Sequence, residues 1–64
     1  MCLSEVYKQT DSEPEFLCKN IAKIIPMENE VVFYDFMGRK TVFYGSILSV
    51  DLMENTVLVK ENRQ

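Results

Sequence analysis

The 64-residue chain has no histidine and no tryptophan, only two cysteines, two glycines and two prolines, and seven basic residues against ten acidic ones. The missing histidine removes the commonest metal ligand and the commonest general base near neutral pH. It also rules out Ser-His-Asp and Cys-His nucleophile arrangements. No CxxC pair and no glycine-rich phosphate loop occurs. The remaining carboxylates fall mostly near turns, where they read as solvated charges. An enzyme is therefore not expected. Cys2 and Cys18 are no disulfide framework, and both are expected as thiols in a reducing compartment. No apolar run approaches the roughly 20 residues of a membrane helix. No basic stretch followed by an apolar one opens the chain, so no secretory signal is expected and the location is expected to be cytoplasmic. The net charge of −3 argues against a nucleic-acid role, which needs clustered Lys and Arg to neutralise phosphates.

What is present is the material of a small folded domain. Hydrophobic residues make up 47% of the chain, with three tyrosines and four phenylalanines. Residues 1–64 are expected to form one domain. A chain this short buries only about 60% of its unfolded surface. Domains of that size commonly add a disulfide, a metal or a partner subunit.

The apolar residues recur in short β-rich runs between polar turns rather than at helical spacing. The candidate strands are "CLSEVYK", "EFLCK", "IAKIIPM", "EVVFYDF", "TVFYG", "SILSVDL" and "TVLVK". Pro26 suggests an edge or a bend. Gly38 suits a turn, and Gly45 a bend or bulge. Alternation puts Val31, Phe33 and Asp35 on one face, and Leu48, Val50 and Leu52 on another with Ile47 opposite. "MENEVVF" at 27–33 and "MENTVLV" at 53–59 read as two hairpins sharing one turn chemistry. The fold expected is all-β, a small and strongly bent β-barrel of the Sm or Src-homology kind with about six or seven short strands. Closure would remove exposed sheet edges.

Two cysteines carry the only thiol chemistry. Cys18 lies inside a β-rich run and reads as core or near-core filler. Cys2 stands directly behind Met1. It is either an apolar filler at the start of a strand or a metal ligand. Removal of Met1 would leave a thiolate and an α-amine on adjacent carbons, enough for a five-membered chelate. The amine titrates lower than lysine, so a metal displaces its proton more easily. Sulfur plus nitrogen suits Ni(II) or Cu(II). One chain supplies half such a set, and a two-fold dimer would complete it. A different reading uses "DFMGRKTVFYG", where Phe36, Arg39, Lys40, Phe43 and Tyr44 interleave aromatic and basic residues in the manner of an RNA-binding sheet.

Taken together, "MCLSEVY" at the start, "IAKI" after a short acidic loop, and "DFMGRKTVFYGSILSVDLMENTVLVKE" resemble the CooT family, small nickel-binding accessory proteins linked to maturation of carbon monoxide dehydrogenase. The resemblance covers nearly the whole chain. It implies a small β-barrel that forms a homodimer. It implies one Ni(II) bound at the dimer interface through the cysteine behind the initiator methionine, here Cys2 of each subunit, and a client nickel enzyme. Cys18 has no counterpart. The "MCL" start is also similar to hydrogenase-maturation chaperones of the HypC type, but those carry a proline soon after the cysteine and "MCLSEV" does not. The alternative function is a small-barrel RNA-binding or protein-interaction module without metal, centred on Arg39, Lys40 and Tyr44.

Overall fold

Runs dense in valine, isoleucine and aromatic residues form strands because their stiff side chains pack well on a pleated surface. The computed structural model describes residues 3–62. They form β1 (Ser4–Lys8), β2 (Glu15–Pro26), β3 (Val31–Asp35), β4 (Lys40–Phe43), β5 (Gly45–Asp51) and β6 (Thr56–Glu61), with no helix among the described residues. All six join one sheet in the order β4-β3-β2-β1-β6-β5. Every neighbouring pair is antiparallel except β1 and β6, which run parallel.

The topology dictates a curl. The two edge strands, β4 and β5, are consecutive in the chain with Tyr44 alone between them. One residue spans at most about 3.6 Å, so opposite edges of the sheet must meet there. Asn62 pins the seam: its backbone N–H donates to the Tyr44 carbonyl and its side-chain amide to the Asn29 carbonyl, both at 3.1 Å. The result is a six-stranded half-barrel, as the alternating runs predicted. Gly45 sits at the seam because nothing larger fits. A Cβ there would land on the Lys60 carbonyl oxygen and lie 2.6 Å from the Phe43 ring.

β2 makes the bend. The sequence predicts two runs here, and the structure joins them into one 12-residue strand. Its first half pairs with β1 and its second half with β3, the two exchanging at Ile21. Asn20 turns the chain at φ 60°, a left-handed conformation that asparagine tolerates better than most residues. Pro26 ends the strand opposite Val31, beyond the reach of β1, so its missing N–H breaks no inner ladder.

The concave face holds the core: Val6, Ile21, Val31, Phe33, Val57 and Val59, with Cys18, Ile24, Phe43 and Ile47 packed against it. Burying each large side chain contributes about 1.5–3 kcal/mol. Val32, on the other face of β3, is buried too, because Ile25 and Val42 flank it in register. β5 departs from the predicted alternation. A bulge between Ile47 and Ser49 sets Ile47 opposite Val59 and Val50 opposite Val57, so Ile47 and Val50 share a face. The echoed "MEN" turns also differ: Asn55 is left-handed at φ 58°, whereas Asn29 is not.

Candidate functional site

Cys2, the predicted metal ligand, lies outside the described residues, as do Met1, Arg63 and Gln64. The structure fixes what adjoins it in the chain. Ser4 opens β1 opposite Ile21, and the Glu5 N–H donates to the Asn55 carbonyl at 2.9 Å. Parallel pairing of Glu5 with Thr56 then lays the start of β1 beside the turn between β5 and β6. That turn is tightly built. Asp51 Oδ1 accepts the backbone N–H groups of Met53 and Glu54, each at 3.0 Å. The turn presents Leu52 and Met53, 81% and 92% exposed, at its tip. Large apolar side chains on a turn held this firmly are costly to leave in water.

Cys18 stands opposite Val6 on the concave face, half-buried against the core. Burial pushes its thiol above the ordinary value. It is therefore a poor thiolate donor at neutral pH, which agrees with the filler reading. No group of three or more His, Cys, Asp or Glu among the described residues is placed to hold a metal.

The proposed aromatic and basic stretch does not assemble into one surface. Phe43 packs against the core. Arg39 Nε donates to Asp35 Oδ2 at 2.7 Å, while Asp35 Oδ1 accepts the Met37 and Arg39 backbone N–H groups at 2.9 Å. Burial disfavours the Asp35 carboxylate, but these donors and the Arg39 charge outweigh it and hold the group below the usual range. Phe36, in the turn after β3, and Tyr44, just past the far end of β4, are both exposed. A concavity that the sequence reading missed lies on the convex side of β1, β5 and β6, with Tyr7 and Leu58 in its floor.

A family model described as CO dehydrogenase accessory protein CooT matches residues 1–60. Comparison with curated proteins gives no match. Among solved structures, a crystal structure described as CooT from Carboxydothermus hydrogenoformans superposes with a TM-score of 0.85. The alignment covers 97% of this chain and 100% of that one at 18% identity, a likeness of fold. Because the family match runs through nearly the whole chain, Cys2 included, this protein belongs to the CooT family of CO dehydrogenase accessory proteins.

Proposed function

We propose that this accessory protein binds Ni(II) as cargo between two copies of itself, with Cys2 of each copy as thiolate ligand, and serves a nickel enzyme as client. The observation that carries the reading is the family match over residues 1–60, which includes the Met-Cys start. The histidine-free sequence and the half-buried Cys18, whose thiol burial pushes up, support it, because they leave Cys2 as the readier thiolate donor. Two copies would supply two sulfurs and two nitrogens, a donor set suited to Ni(II). A reducing cytoplasm would keep both thiols available. The protein's own residues bind and hold the ion; the chemistry belongs to the client.

Titration of the untagged protein with Ni(II), followed by thiolate-to-metal charge-transfer absorption, tests this. The band is expected in the native chain and in Cys18→Ala, and is expected to vanish in Cys2→Ala. An undiminished band in Cys2→Ala, or none in the native chain, would sink the proposal.

A further inference from the structure

The convex side of the sheet carries a groove of about 480 Å³. Its floor is apolar, formed by Tyr7 and Leu58, neighbours in register on β1 and β6, with Pro14 reaching in from the β1–β2 loop. Glu13 and Asp51 line it as well. Glu5, two residues before Tyr7 on the same face, accepts the Tyr7 hydroxyl at 2.7 Å and brings a third carboxylate beside the groove. The Tyr7 ring also meets Phe16 edge-on, with centroids 5.8 Å apart, so it is held in place.

These carboxylates have capacity to spare. Asp51 uses Oδ1 for both turn N–H groups, which leaves Oδ2. Glu13 contributes its backbone carbonyl to Thr10. Ion pairs among the described residues join Lys8 to Glu15 and Glu61, and Arg39 to Asp35. None reaches Glu5, Glu13 or Asp51. An apolar floor edged by carboxylates without cations is complementary to a long apolar stem ending in positive charge. An arginine plane would also gain from lying over the Tyr7 ring.

From this we infer that the groove docks an extended, Arg- or Lys-bearing segment of a partner protein, its stem on Tyr7 and Leu58 and its cation between Asp51 and Glu13. The inference is independent of nickel and of Cys2.

The test is an amide NMR titration of the full chain with the capped peptide Ala-Arg-Leu-Arg-Ala, its Glu-for-Arg counterpart, and spermidine. The arginine peptide is expected to give saturable shifts at Tyr7, Ser49, Thr56 and Leu58. The glutamate peptide is expected to give none, and spermidine only weak, scattered ones. The double variant Glu13→Gln/Asp51→Asn keeps an amide oxygen to accept the turn N–H groups. It should fold as the native chain does and bind the arginine peptide about ten-fold more weakly. Absence of saturable shifts, equal response to the glutamate peptide, or unchanged affinity in the double variant would overturn the inference. Spermidine binding as tightly at the same residues would also overturn it, by assigning the groove to free polyamines.

Discussion

Phe33, Val6, Val31 and Val59 are wholly shut from solvent, and a domain this small has little stability to lose. Truncating Phe33 to alanine should cost about 3–5 kcal/mol, comparable to the whole net stability of a short chain. Phe33→Ala is therefore expected to lose its cooperative thermal transition by circular dichroism, while Phe33→Leu keeps one at lower temperature. Asp35 gives a pH prediction. Its folded carboxyl titrates below its unfolded value, so its contribution is complete above the unfolded value near about 4. That contribution fades as pH falls through the depressed folded value. Urea midpoints of the native chain should drop with acidification through that window, and Asp35→Asn should show a smaller drop. An identical acid response in the two would refute the role given to the Asp35–Arg39 turn.

At the level of elements, β2 and the β4–β5 seam decide the shape. Asn20 holds the bend of β2 in a left-handed conformation that costs most residues about 1–2 kcal/mol. Asn20→Gly should leave the melting temperature close to native, whereas Asn20→Val should lower it measurably. Gly45→Ala should be destabilising by about 1–3 kcal/mol, since the added methyl meets the Lys60 backbone rather than a yielding side chain. Much of this was legible in the residues. β-branched runs located the strands, and Gly45 marked a bend; Pro26, read as an edge or a bend, instead ends β2. The joining of "EFLCK" to "IAKIIPM" was not, because Asn20 reads locally as a turn and only cross-strand pairing on both sides makes it a bend. The β5 bulge was hidden for a similar reason: "SILSVDL" alternates cleanly, and only its register against β6 reveals the slip.

For the whole molecule, the proposed pairing of two copies gives a test at the exposed turn between β5 and β6. Leu52 and Met53 lie on the turn beside the start of β1. A second copy covering that end would remove them from water, and Leu52→Ser/Met53→Ser is expected to weaken self-association in sedimentation without unfolding the barrel. Cys2 was singled out in the sequence by its chemistry and by the family resemblance, and it lies outside the described residues. The convex groove was not legible there, because its walls come from residues 7, 13–14, 49, 51 and 56–58, brought together only by the sheet order. The measurement that bears most directly on the central claim is native mass spectrometry of the untagged chain with Ni(II). The account predicts a species of two chains and one nickel ion, absent in Cys2→Ala and preserved in Cys18→Ala. Nickel retained by the Cys2 variant, or carried by single chains, would contradict it.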